Sequence, residues 1–92
     1  MRLLVTPTFA RASRRLHRSQ KAELDEAVRS IIEHPTIGEA KIGDLAGIRV
    51  HKFRMSNQSC LLAYRIVDED TIKLLTLGSH ENFYRDLKRQ DE

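Results

Sequence analysis

The hydrophobic pattern of this chain changes its period at Pro35, and that change limits the fold more than any other feature. Before Pro35, apolar residues recur at three- and four-residue spacing, most regularly at Leu24, Ala27, Val28, Ile31 and Ile32. That spacing is typical of an amphipathic helix. After residue 47, apolar and polar residues alternate in short runs, which is typical of strands. The pattern therefore predicts an α+β fold in which helices and sheet pack as layers.

The predicted order of elements is strand, helix, helix, three strands and helix. The first strand is "RLLVT", residues 2–6, and Pro7 ends it. Thr8 is predicted to cap the first helix and Ser19 the second. Two consecutive helices joined by a short link predict an N-terminal helical hairpin on one face of a sheet. Residues 36–47 contain three glycines and no sustained period, so we expect a connecting loop there.

Three alternating runs predict a small, mostly antiparallel sheet, with the first strand added beside it. They are "IRVHKFR" (48–54), "CLLAYRIV" (60–67) and "TIKLLTL" (71–77). Alternation puts Arg49 and His51 on one side of their strand, and we expect them near Leu61, Ala63 or Arg65 on a partly open, cationic sheet face. Gly78 ends the last strand, and Ser79 is predicted to cap a terminal helix in which Phe83 contacts Leu87.

Length and charge restrict the possible functions. The chain has 92 residues, enough for one domain spanning 1–92, and a net charge of +3. No acidic residue precedes Glu23, while six cations do, and a second acid-free stretch runs from residue 45 to 67. These basic segments suggest an anionic partner. No run is long enough for a membrane span, and the single Cys60 indicates neither a disulfide framework nor a zinc site. We therefore expect a cytoplasmic protein without metal or small-molecule cofactor.

His80 and Tyr84 are the main candidates for chemistry. They are four residues apart at a predicted strand-to-helix junction, so both side chains can address one site. Metal-free RNA cleavage needs such groups, because a proton must leave the attacking 2′-hydroxyl, another must reach the leaving oxygen, and cations must hold the phosphate. Simpler explanations stay open: His80 as a surface residue, Tyr84 as packing, and the strand cations as protection of a sheet edge.

Three local strings resemble the RelE/ParE superfamily of bacterial toxins. They are "LAGIRVHKF", "LLAYRI" and "LLTLGSHENFYRDLKR", and the resemblance covers nearly the whole chain. It implies a toxin of a type II toxin-antitoxin system, with a cognate antitoxin as partner. RelE-like members cleave mRNA on the ribosome without a metal, whereas ParE-like members poison DNA gyrase by binding.

The resemblance assigns roles to individual residues. His80 is expected to act as general acid or base with His51 as its counterpart, and Tyr84 to orient the nucleotide. The remaining candidates are cationic, with Arg49 and Arg65 on the scissile phosphate, and RNA binding assigned to Lys52, Arg54 and Arg85. The leading hypothesis is thus a ribosome-dependent mRNA endonuclease that arrests translation. The alternatives are a gyrase inhibitor and a plain RNA-binding module.

Overall fold

The fold follows the predicted order of helices and strands. The computed structural model describes residues 1–79 together with Phe83, Tyr84 and Leu87. Its elements are β1 (Arg2–Val5), α1 (Pro7–Arg14), α2 (Arg18–Glu33), β2 (Glu39–Ala40), a short 3-10 helix (Gly43–Leu45), β3 (Arg49–Met55), β4 (Gln58–Asp68) and β5 (Thr71–Gly78). Phe83, Tyr84 and Leu87 are helical, and the rest of the predicted terminal helix lies outside the described residues. The α+β class is confirmed.

The strands form one five-stranded sheet in the order β1-β5-β4-β3-β2. Strands β3, β4 and β5 make the predicted antiparallel meander, and β1 pairs with β5 in parallel. The edge strand β2 is new, because the sequence predicted only a loop there. It contributes two residues, Glu39 opposite Val50 and Ala40 opposite Arg49. A strand of two residues is too short to produce a detectable alternation.

Both helices begin earlier than predicted. Thr6, not Thr8, caps α1: its hydroxyl accepts a hydrogen bond from the Phe9 amide at 3.0 Å. Pro7 then occupies the first helical position. An N–H at that position has no partner within the helix, so its absence in proline costs no hydrogen bond. The second helix is capped at His17, whose amide donates to the Gln20 side chain at 2.9 Å, rather than at Ser19.

The helices cover one face of the sheet, as predicted, and we call this the helical face. Phe9 of α1 and Leu24 and Ile31 of α2 are buried in a cluster with sheet residues. The sheet residues of that cluster are Leu62, Tyr64, Ile72 and Leu74. Within the described part of the chain, no helix is both long and apolar enough to cross a membrane.

The opposite face, here called the terminal face, is more fully covered than the sequence predicted. Phe83 and Leu87 from the C-terminal segment are buried against it. Their partners in this second cluster are Ile48, Val50, Leu61, Ala63 and Leu75. The sheet is therefore apolar on both sides at its centre, and polar groups can gather only around the border of the terminal segment.

Candidate functional site

The register of β3 and β4 separates side chains that the sequence analysis expected to meet. Arg49 lies opposite Tyr64 and His51 opposite Leu62, so both point to the helical face. The expectation that Arg49 and His51 stand beside Leu61, Ala63 and Arg65 is wrong, because those three residues point to the terminal face. The alternation along β3 was predicted correctly. The pairing of β3 with β4, however, differs by one residue from the expected pairing, and such a shift moves side chains that were expected to be neighbours to opposite faces of the sheet.

Arg49 and Tyr64 instead form hydrogen bonds with the backbone of the segment that follows α2. The guanidinium of Arg49 donates to the carbonyls of Thr36 at 3.2 Å and Gly38 at 2.7 Å. The hydroxyl of the fully buried Tyr64 donates to the Pro35 carbonyl at 2.6 Å and accepts from the Gly38 amide at 2.9 Å. Burial raises the pKa of the Tyr64 phenol, and the bond from Gly38 partly opposes this rise. These contacts indicate a structural role for Arg49.

His51 borders a groove between α2 and β3. The groove has a volume of about 270 Å³, and Glu23 and Glu26 of α2 line it together with Phe53. The His51 ring lies nearly parallel to that of Phe53, with centroids 6.1 Å apart. Partial burial lowers the pKa of the imidazole below its ordinary value. His51 is therefore favoured in its neutral form and is separated by the sheet from the terminal face.

Tyr84 is half-buried on the terminal face and has a cation beside it. Its ring packs edge-on against Phe83 at 5.1 Å, and the Lys41 ammonium lies 5.5 Å from the ring centroid. Lys41 also binds the Glu39 carboxylate at 3.1 Å. The pKa of Lys41 is raised, chiefly by that hydrogen bond and secondarily by a hydrogen bond with Tyr84. The backbone amide of Lys41 donates to the Ile48 carbonyl at 2.9 Å, which fixes its position at the sheet edge.

Lys41 is a site residue that the sequence analysis missed. It lies in the segment read as a loop, where a single lysine carries no periodic signal. Only the pairing of β2 with β3 brings it to the terminal face.

Three of the predicted cations also lie on this face or at its end. Arg65 follows Leu61 and Ala63 by alternation, and its guanidinium rests against Gly47, 2.6 Å from the position that a Cβ there would occupy. Lys52 lies opposite Leu61 and is exposed. Arg54, near the tip of the hairpin, donates to the Asn57 carbonyl at 3.1 Å.

The candidate site therefore centres on Tyr84 and Lys41. Arg65 lies on the same face beyond Ile48, and Lys52 lies on that face four residues further along β3. His80 and Arg85, both predicted site residues, lie outside the described residues. Among the residues that the structure describes, no group of three or more His, Cys, Asp or Glu side chains is arranged to hold a metal. The site places an ammonium group, paired with the Glu39 carboxylate, beside a phenol ring. A phosphate diester could compete with that carboxylate for the cation.

The fold has solved counterparts among bacterial toxins. The toxin of the intact E. coli RelBE toxin-antitoxin complex superposes with a TM-score of 0.70 at 21% identity, over 87% of this chain and 96% of that chain. A doubly substituted E. coli RelE in the free state gives a TM-score of 0.72 at 21% identity, over 96% and 95% of the two chains. The same variant bound to a peptide of the antitoxin RelB gives 0.67 at 19%, over 91% and 90%.

Sequence comparison adds the family. No curated protein matches the chain. A family profile described as ParE-like toxin of type II bacterial toxin-antitoxin systems matches residues 3–88. The fold is thus that of the superposed RelE chains. The chain belongs to the ParE-like toxin family of type II toxin-antitoxin systems, within the RelE/ParE superfamily.

Proposed function

We propose that this toxin is a ribosome-dependent, metal-independent mRNA endonuclease that arrests translation in the cytoplasm. The observation that carries the proposal is the placement of Tyr84 beside Lys41 on the face that also presents Arg65 and Lys52. An aromatic ring among cations is suited to a nucleotide, because the ring can orient the base while the cations hold its phosphates.

The reaction would be an internal transfer. The 2′-oxygen attacks the adjacent phosphorus and loses its proton to a base, while the bond to the 5′-oxygen breaks and that oxygen gains a proton from an acid. Arg65 would stabilise the extra negative charge on the phosphate, and Lys52 would contact the RNA further along the strand. His80 is assigned to proton transfer on sequence grounds, because an imidazole can donate or accept a proton near neutral pH.

Arg49 and His51 are left out of this mechanism. Arg49 is bonded to two backbone carbonyls after α2, and His51 faces the groove beside that helix. Both are on the other side of the sheet from Tyr84.

Paired substitutions test the assignment. Induced expression of His80→Gln and of Tyr84→Ala should relieve growth arrest, whereas His51→Gln should stay as toxic as the parent. Mapping of mRNA 5′ ends should reveal new ends within translated frames for the parent and for His51→Gln only. Full toxicity in both the His80 and Tyr84 variants would refute the site.

The second candidate function is inhibition of DNA gyrase by binding, and the ParE-like description of the matching family favours it. A gyrase inhibitor would produce trapped gyrase-DNA complexes and no new mRNA ends. Both assays on the same cultures therefore separate the two functions.

A cognate antitoxin is the proposed partner in either case. Two of the superposed RelE chains were solved with antitoxin RelB or a peptide from it. An acidic or amphipathic antitoxin segment that folds on binding could cover the basic surface of this chain.

A further inference from the structure

Lys41 lies between a carboxylate and a phenol at one edge of the terminal face. Its ammonium group donates to the Glu39 carboxylate at 3.1 Å on one side. On the other side it forms a hydrogen bond with the Tyr84 hydroxyl, and it is 5.5 Å from the centroid of that ring. The backbone of Lys41 is held separately, because its amide donates to the carbonyl of the buried Ile48 at 2.9 Å. These contacts hold in one place a side chain that is otherwise flexible, and only 21% of it is exposed.

The chemistry of lysine fixes the direction of the bond between Lys41 and Tyr84. A lysine ammonium group carries three donors and no acceptor, whereas a phenol hydroxyl can donate or accept. Lys41 must therefore donate, and the Tyr84 oxygen must accept. The pKa of Lys41 is raised, chiefly by its bond to Glu39, so the group keeps this donor role at neutral pH. The O–H bond of Tyr84 consequently points away from the Lys41 ammonium.

The ring of Tyr84 is held by an apolar contact as well. It meets the Phe83 ring edge-on, with the two centroids 5.1 Å apart. Phe83 is buried in the apolar cluster of the terminal face, and Tyr84 packs half-buried against the same cluster. The phenol is thus held by Phe83 at its ring and by Lys41 at its oxygen.

We propose that Lys41 is a positioning residue for Tyr84, which it orients so that the phenol O–H donates to a phosphate oxygen of the RNA at the point of cleavage. This inference rests on the proposed function and gives the Tyr84 hydroxyl a role beyond that of the ring, which orients the base. A donor aimed at the phosphate stabilises the negative charge that develops on its oxygens as the 2′-oxygen attacks. Lys41 acts through the phenol and needs no contact with the RNA, so its pairing with Glu39 is compatible with this role.

Direct binding of a phosphate by Lys41 is the rival role. Positioning is favoured because the ammonium group already has two acceptors, the Glu39 carboxylate and the Tyr84 oxygen. A phosphate would have to displace one of them from a side chain that is mostly buried.

A double-mutant cycle separates the two roles. Lys41→Met keeps the length of the side chain and removes its donors, and Tyr84→Phe keeps the ring and removes its hydroxyl. Arg29→Met is the matched control, because it also replaces a cation with methionine but lies exposed on α2, paired with Glu26. The kcat and KM for cleavage of mRNA on programmed ribosomes are measured for the full-length parent, the single variants and the double variant.

The expected losses are in kcat. Tyr84→Phe should lower kcat by about 100- to 1,000-fold, the usual effect of removing one donor to a developing oxyanion. Lys41→Met should lower kcat by about 10- to 100-fold, because the hydroxyl is retained but misplaced. The double variant should match Tyr84→Phe, since without the hydroxyl Lys41 has nothing to orient. KM should change little in any variant, and Arg29→Met should cleave like the parent.

Two kinetic results would overturn the inference. If the losses in the double variant multiply, Lys41 acts independently of the Tyr84 hydroxyl. If Lys41→Met raises KM and leaves kcat unchanged, Lys41 binds the RNA directly.

Nuclear magnetic resonance of the lysine ammonium groups gives a readout that does not depend on cleavage. In isotope-labelled protein, Tyr84→Phe should shift the proton and nitrogen resonances of the Lys41 ammonium group. Those of Lys73, which lies on the same face opposite Arg65, should stay in place. An unshifted Lys41 resonance overturns the inference whatever the kinetics show.

The outcomes also separate this inference from the proposed function. If the parent cleaves mRNA and the losses multiply, only the positioning role fails. If the parent cleaves no mRNA on the ribosome, the proposed nuclease function fails and the positioning role fails with it.

Discussion

The two tyrosines of this chain should respond in opposite ways to loss of the hydroxyl group. Tyr64 is fully buried, and its hydroxyl donates to Pro35 and accepts from the buried Gly38 amide. Tyr64→Phe leaves that amide without its partner, which costs about 1–3 kcal/mol, and forfeits a second bond worth about 1 kcal/mol. The free energy of unfolding should therefore fall by roughly 2–4 kcal/mol, or roughly 10–30 °C in midpoint.

Tyr84→Phe is the matched control for that measurement. Tyr84 is half-buried on the terminal face, so loss of its hydroxyl should lower the free energy of unfolding by less than about 1 kcal/mol. Urea denaturation followed by far-ultraviolet circular dichroism measures both variants at constant pH. A Tyr64→Phe protein as stable as Tyr84→Phe would refute the reasoning, because Tyr64 would then not fasten the segment after α2.

Two further variants probe the backbone and the groove. Gly43→Ala and Gly47→Ala both force alanine to a positive φ, of +68° and +89°, and each should lose about 1–2 kcal/mol of stability. The two losses should be similar, because the Cβ of Gly43 meets open space and that of Gly47 meets only the end of the flexible Arg65 side chain, which can move aside; a loss at Gly47 well above about 2 kcal/mol in urea denaturation would contradict this. The pKa of His51 is lowered in the folded protein, whereas in the unfolded chain it has its ordinary value of about 6.5. As the pH falls, the unfolded chain therefore binds a proton at His51 before the folded protein does. Stability should therefore fall as pH drops below about 6.5, and His51→Gln should flatten that fall in urea denaturation between about pH 7.5 and 5.5; an unchanged slope would refute it.

Lys41 illustrates why the candidate site was only partly predictable. Tyr84 and Arg65 come from segments with clear periodicity, so the sequence indicated which element each belongs to and which side of that element it occupies. Lys41 comes from a segment without periodicity and reaches Tyr84 only through the pairing of β2 with β3. A contact between residues so distant in sequence has no local signal.

The sequence by itself determined the class of the fold, the order of its helices and strands, and the resemblance to a toxin superfamily. Those properties depend on local periodicity and on short strings, which are readable along the chain. Only the tertiary structure decided which face each side chain shares with its neighbours. The pairing of β3 with β4 put Arg49 and His51 on the helical face and Arg65 on the terminal face. Sequence could not decide this, because a shift of one residue between paired strands changes which side chains share a face of the sheet.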